Sequence, residues 1–152
     1  EYFDFYLFHN VYEGNVDDYL NEEFGILDYL LEQKKNGRIK HLGFSAHGSL
    51  EVIKKFLNAY GEHMEFCQLQ LNYMDWHFQK WQPKAEYIHN AGIPIWVMEP
   101  LRGGKLCKLP EDMVESLQTM RPDESIPAWA FRFLKTIPVS QWYYQVCQLW
   151  IS

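Results

Sequence analysis

The chain has no excess of positive charge, no long apolar run and no paired cysteines, and each absence removes a class of function. Its 152 residues carry 14 Lys and Arg against 20 Asp and Glu, a net charge of −6. A nucleic-acid binder would present a basic face, which this balance argues against. No run of about eighteen apolar residues occurs, so no membrane-spanning helix is expected, and no signal peptide is visible. The three cysteines, Cys67, Cys107 and Cys147, are far apart and form no C-x-x-C pair. That is the pattern of reduced structural thiols in a cytoplasmic protein rather than of a disulfide framework or a zinc site. His41, His47, His63, His77 and His89 show no metal-ligand spacing and read as surface or loop residues, so no metal is expected.

What is present is a repeated alternation of short apolar segments and amphipathic ones. Residues 2–8, 39–45, 66–71 and 93–98 are short and rich in apolar or aromatic residues, as buried strands are. Between them lie stretches with helical spacing. Phe24, Leu27, Leu30 and Leu31 share one face, with Glu32, Lys34 and Lys35 turned outward; Asn36-Gly37 stops that helix. Ser49 is placed to cap the next helix, where Leu50, Ile53, Leu57 and Tyr60 follow the 3.6 period up to Gly61. A helix is expected over residues 79–90, then two more over residues 111–120 and 125–135. The acidic run from Glu13 to Glu23 reads as a solvated face.

Strand–helix alternation implies parallel β/α units. Two architectures compete, an open doubly wound sheet and a slice of a closed (β/α)8 barrel. No G-x-G-x-x-G follows any strand, which weakens the open dinucleotide-binding sheet. A complete barrel needs about 250 residues, so this chain is expected to supply about half of one. The apolar run begins directly at Glu1-Tyr2-Phe3 with no initiator Met, and reads as an interior strand of a larger domain.

Four segments then carry a resemblance, in order and spacing: Asp4-Phe5-Tyr6-Leu7-Phe8-His9-Asn10, Gly37-Arg38-Ile39-Lys40-His41-Leu42-Gly43-Phe44-Ser45, Gln68-Leu69-Gln70-Leu71-Asn72-Tyr73 and Glu99-Pro100-Leu101-Arg102-Gly103-Gly104. Together they resemble the aldo-keto reductases, NADP-dependent barrel enzymes, and look most like the bacterial branch associated with iron–sulfur oxidoreductases. The resemblance spans residues 1–138 and implies a partial (β/α)8 TIM barrel, about strands four to seven with their helices. It implies hydride transfer from the nicotinamide of NADP to a small carbonyl substrate. A Tyr gives the proton, a Lys and an Asp tune that Tyr, and a His orients the carbonyl oxygen. Of these four groups only the His is matched, by His9; Tyr6 and Tyr12 are not at matching positions. The fragment is therefore expected to be inactive alone.

For the cofactor, the resemblance matches Ser45 and Gln68 to the clamp on the nicotinamide carboxamide. Ala46 stands where the wider family has Asn. Met98 takes the place of a Tyr that stacks on the nicotinamide, and sulfur packs on a ring less rigidly. Leu101, Arg102, Gly103 and Gly104 match the loop along the pyrophosphate, where glycines let backbone donors approach and Arg102 adds charge. Without the resemblance, His9 reads as a polar residue at a strand end, Ser45 as a turn residue and Gly103-Gly104 as a loop. Gln68 is harder to dismiss, because a polar group in an apolar strand needs a partner. Two other readings stand beside the first. One is a half-barrel interaction module that self-associates through open sheet edges, with another copy or a missing half. The other is a hydrolase using His9 and Asp75.

After Pro138 the resemblance stops. Residues 139–152 form neither an amphipathic helix nor an alternating strand, where the family expects an eighth strand and a Ser-Gly turn. Back-translated with one added G after the Pro138 codon, the tail reads Gly-Ile-Thr-Val-Val-Leu-Ser-Gly-Met-Ser-Thr-Met-Asp-Ile with permitted wobble bases. The second Val, the Leu and the Asp are forced by the codons. The tail is therefore expected to be a frameshifted segment outside the family domain.

Overall fold

Parallel strands need a crossover connection between them, and the amphipathic helices between the apolar segments supply it. The computed structural model describes residues 1–137 and the backbone of residues 140–143. Within these, five strands form one parallel sheet in chain order: β1 (Phe3–Val11), β2 (Ile39–Ala46), β3 (Cys67–Gln70), β4 (Ile95–Met98) and β5 (Ser140–Tyr143). Helices α1 (Val16–Leu20), α2 (Ile26–Lys35), α3 (Leu50–Tyr60), α4 (Tyr73–Phe78), α5 (Trp81–Asn90), α6 (Glu111–Met120) and α7 (Ile126–Thr136) run between them. A sheet whose strand order never reverses is the wall of a (β/α)8 barrel; a doubly wound sheet would show a reversal.

Local chemistry sets the helix ends. The Ser49 hydroxyl accepts the Val52 N–H at the start of α3, and α2 ends at Asn36 before Gly37 at φ +72°, a conformation glycine adopts without a Cβ penalty. Two segments differ from the sequence expectation. The helix expected over residues 79–90 begins only at Trp81, after Lys80 turns left-handed at φ +50°. Ahead of it stands the separate helix α4, because the Asn72 side-chain oxygen Oδ1 accepts from the N–H groups of Met74 and Asp75 at 3.1 and 2.8 Å. The tail also departs from expectation. Residues 140–143 form a strand parallel to β4. The aromatic pair Trp142-Tyr143 suits a strand, and the open edge of β4 offers it backbone partners. Residues 144–152 lie outside the described residues.

Alternation along the strands separates two faces. On the helix-covered face Leu42, Phe44, Ala46, Cys67, Leu69, Ile95 and Val97 are fully buried. Phe56 of α3 packs there on Phe8 and Phe44, with ring centroids 5.3 and 5.0 Å apart. Full burial of each of the Leu, Phe, Ile and Val side chains contributes about 1.5–3 kcal/mol. On the opposite face, Phe66, which directly precedes β3, stacks on Trp96 of β4 at 4.5 Å, and Phe5 meets both edge-on at 5.6 and 4.7 Å. Gly43 makes room for this aromatic floor: a Cβ there would lie 2.5 Å from the Phe66 carbonyl oxygen and 2.6 Å from its ring. β1 is an edge strand, and Phe3, Phe5 and Tyr6 on it, with Tyr2 just before it, are exposed.

Candidate functional site

The strands' C-terminal ends differ chemically from that floor. Phe8 and Phe44, opposite each other, both face the helices, so the intervening positions face the other way. Ser45 pairs in register with Gln68, and Gln68 with Trp96. Gln70 pairs with Met98 two residues further along. Ser45, Gln68, Gln70 and Met98 therefore share the face opposite the helices, on strands about 4.8 Å apart. His9 follows Phe8 and begins on that same face.

A bulge tailors the end of β1. From Phe8 to Val11 the chain takes three steps while β2 takes two from Phe44 to Ala46, and Asn10 absorbs the slip at φ +57°. The freed Asn10 N–H donates to Ser45 Oγ at 2.7 Å. Ser45 is 2% exposed, and this bond leaves its hydroxyl proton to be donated elsewhere. The bulge is held from beneath. The Tyr19 hydroxyl donates to the His9 carbonyl at 2.8 Å, and Asn15 Nδ2 donates to the Asn10 carbonyl at 2.9 Å. The backbone of His9 is fixed in this way, while its exposed ring has no hydrogen-bond partner among the described residues. His47 stands nearby, its N–H bonded to the Val11 carbonyl at 3.0 Å. Desolvation, then the positive charges of His9 and Lys84, push the His47 imidazole below its ordinary value.

The second half of the rim is a buried polar network that the sequence reading did not assemble. Asp75 is 0% exposed. Its Oδ2 accepts from Gln70 Nε2 at 2.9 Å and Asn72 Nδ2 at 2.8 Å, its Oδ1 accepts from Gln79 Nε2 at 3.2 Å, and Arg102 Nη2 stands 3.5 Å from Oδ1. A buried carboxylate requires this degree of pairing. The legible signal was the spacing Asn72-x-x-Asp75, a helix cap followed by an acid in the first turn. Asn72 Nδ2 also donates to the Glu99 carbonyl at 3.2 Å, tying the end of β3 to the loop after β4.

That loop brings Leu101, Arg102, Gly103 and Gly104 beside the network. Leu101 is buried and anchors the loop. Glu99, Arg102, Gly103 and Gly104 have φ of +57°, +50°, +61° and +83°. The Arg102 N–H bonds the Glu99 carbonyl at 3.0 Å, and the Gly103 N–H donates to the Glu99 carboxylate. The structure thus brings His9, Ser45, Gln68 and Met98 to one face and ties the glycine loop to Gln70, at the end of the same strand as Gln68, through Asn72 and Asp75. Among the described residues no three His, Cys, Asp or Glu side chains cluster as metal ligands, and no helix is long and apolar enough to cross a membrane. Cys67 is fully buried, which raises its thiol well above the ordinary value and makes it an inert packing residue.

Comparison with known proteins gives the same topology. A sequence model described as the Aldo/keto reductase family matches residues 1–149, reaching into the segment after Pro138. Among solved structures, an aldo-keto reductase from Bacillus halodurans in its holo form is 22% identical with a TM-score of 0.70, over 95% of this chain and 48% of its own. A glycerol dehydrogenase from Gluconobacter oxydans is 18% identical at 0.63, over 95% and 50%. An aldo/keto reductase from Klebsiella pneumoniae in complex with NADP and acetate is 15% identical at 0.63, over 95% and 48%. The chain spans about half the length of these structures. No curated protein sequence matches it.

Proposed function

Because the chain belongs to the aldo/keto reductase family, we propose that it carries the half of an NADP-dependent carbonyl reductase barrel that holds the nicotinamide and pyrophosphate. The observation that carries this reading is the register of Ser45 beside Gln68 at the strands' C-terminal ends, where barrel active sites lie. With one lone pair of its oxygen taken by the Asn10 N–H, the Ser45 hydroxyl keeps its proton to donate to a carboxamide oxygen, and Gln68 offers a matching amide. Met98 faces the same side and supplies a soft surface for the nicotinamide ring. Leu101, Arg102, Gly103 and Gly104 receive the pyrophosphate. His9, held by its backbone with its ring exposed, orients the carbonyl oxygen of a small carbonyl substrate. When bound, NADPH supplies the hydride. The proton-donating Tyr and its Lys and Asp have no counterpart in register here, so the chain alone is inactive. The cysteine pattern suits a cytoplasmic protein.

The test is NADPH binding followed by cofactor fluorescence, together with a carbonyl-reduction assay. Ser45→Ala and Gln68→Ala are each expected to weaken NADPH binding roughly tenfold, and the chain is expected to reduce carbonyls at background rate. Sustained turnover that disappears in His9→Ala would contradict the reading, since it would require a proton donor in this chain.

A second reading is favoured by the exposed aromatics of edge strand β1: the half barrel pairs with a second copy through that edge. Mass that rises with concentration, and falls when Phe3 and Tyr6 become Lys, supports it; a monomer at all concentrations removes it. For residues 139–152, the out-of-frame origin is supported by the forced Val, Leu and Asp of the shifted reading. Both frames favour a strand beside β4. Sequencing the source DNA decides, and a shifted frame without family-like continuation beyond residue 152 would sink it.

A further inference from the structure

The loop after β4 already holds an anion of its own. Residues 99–104 include four left-handed positions, a turn geometry that directs backbone N–H groups into a concavity suited to anions. In this structure the Gly103 N–H of that concavity donates to the Glu99 carboxylate. The cation of the loop, Arg102, faces a second carboxylate, Asp75. Both groups that would meet a phosphate are thus engaged by acids of the chain itself.

The two acids are not equivalent. Asp75 is fully buried and accepts from three side-chain amides besides facing Arg102. Pulling it away would strand a charge among unpaired donors. The Glu99 carboxylate is partly exposed, and the Gly103 N–H is its one hydrogen bond among the described residues. The Glu99 backbone is held separately, its carbonyl accepting from Arg102 N and Asn72 Nδ2 at 3.0 and 3.2 Å. The Glu99 side chain can therefore turn out to water while the loop keeps its shape.

We propose that Glu99 is an internal counter-anion of the phosphate loop: its carboxylate holds the Gly103 N–H until a dinucleotide phosphate displaces it, while Asp75 keeps Arg102 positioned throughout. This rests on the cofactor reading above. Displacement lowers apparent affinity, because the loop must first release its own anion, and the displaced charge stays close enough to repel the phosphate.

Isothermal titration of the 152-residue chain with NADPH and with inorganic pyrophosphate tests this. Glu99→Gln keeps an acceptor for Gly103 and removes the charge, so both probes are expected to bind roughly fivefold tighter. Asp75→Asn is expected to weaken both. In the unsubstituted chain, the Gly103 amide resonance is expected to shift on pyrophosphate addition. Equal or weaker binding by Glu99→Gln, with binding by the unsubstituted chain intact, overturns the inference alone. Tightening by Asp75→Asn to the same degree as by Glu99→Gln overturns the choice of Glu99. Absence of binding to either probe in every variant, with no Gly103 shift, overturns both this inference and the cofactor reading.

Discussion

The two ends of the sheet's inner face obey different rules. At the N-terminal ends, Phe5 and Phe66 fill space with rings, the Trp96 ring packs onto them from the level of Gln68, and Gly43 is small because Phe66 lies across it. At the C-terminal ends, Ser45, Gln68 and Gln70 are polar, a bulge exposes His9, and a buried carboxylate organises the loop after β4. The floor is chosen for packing, where shape and volume dominate. The rim is chosen for directed hydrogen bonds, where each donor needs a defined acceptor. One set of strands can therefore separate stability from chemistry along its length.

The sharpest way to break that division is to cut into the floor. Phe66 is 2% exposed and stacked on Trp96, so Phe66→Ala is expected to cost about 3–5 kcal/mol of stability. Denaturant unfolding would report it as a lower midpoint. A loss below 1 kcal/mol would mean that the floor does not hold the half barrel together. At the rim the expected balance reverses. Ser45→Ala removes one neutral acceptor from Asn10 N–H and is expected to cost only about 1 kcal/mol, while its effect on NADPH binding is the larger one. If Ser45→Ala unfolds the chain as readily as Phe66→Ala, the division fails.

The smallest expected effect concerns pH. The folded state disfavours the His47 imidazolium, so the group's folded value lies below 6.5. Its contribution to stability is full above 6.5 and is lost as pH falls through the lower folded value. Stability is therefore expected to decline as pH falls below 6.5, and His47→Gln to flatten that decline. Glu13 is held below 4.5, chiefly by its bond from the Ser49 N–H, so its loss comes in more acid solution and is separable. An unchanged slope in His47→Gln would place the sensitivity elsewhere.

Much of the fold was legible because its strands are short apolar runs bounded by turn residues, and because Ser49 and Gly37 punctuate the helices where expected. The α4–α5 break was not, because it depends on Asn72 capping a helix of mixed polarity and on Lys80 turning left-handed. β5 was missed because residues 139–152 lack alternation, and its pairing comes from the neighbouring edge of β4. In the site, Ser45, Gln68 and Met98 were found by resemblance, and their shared face follows from strand register. Gln70, Asp75 and Glu99 were not assembled. Their partners are distant in sequence or lie across a loop, and one-dimensional spacing does not show that a Gln on β3, an Asp on α4 and an Arg after β4 meet.

The most direct test of the account is a residue-resolved map of where NADPH touches the chain, by amide nitrogen–proton spectra during titration. Shifts are expected to concentrate at Asn10, Ser45, Gln68, Glu99 and residues 101–104, with Phe5, His41 and Phe66 still. Shifts centred on the floor, or none at any residue, would contradict the assignment of the C-terminal rim as the cofactor site.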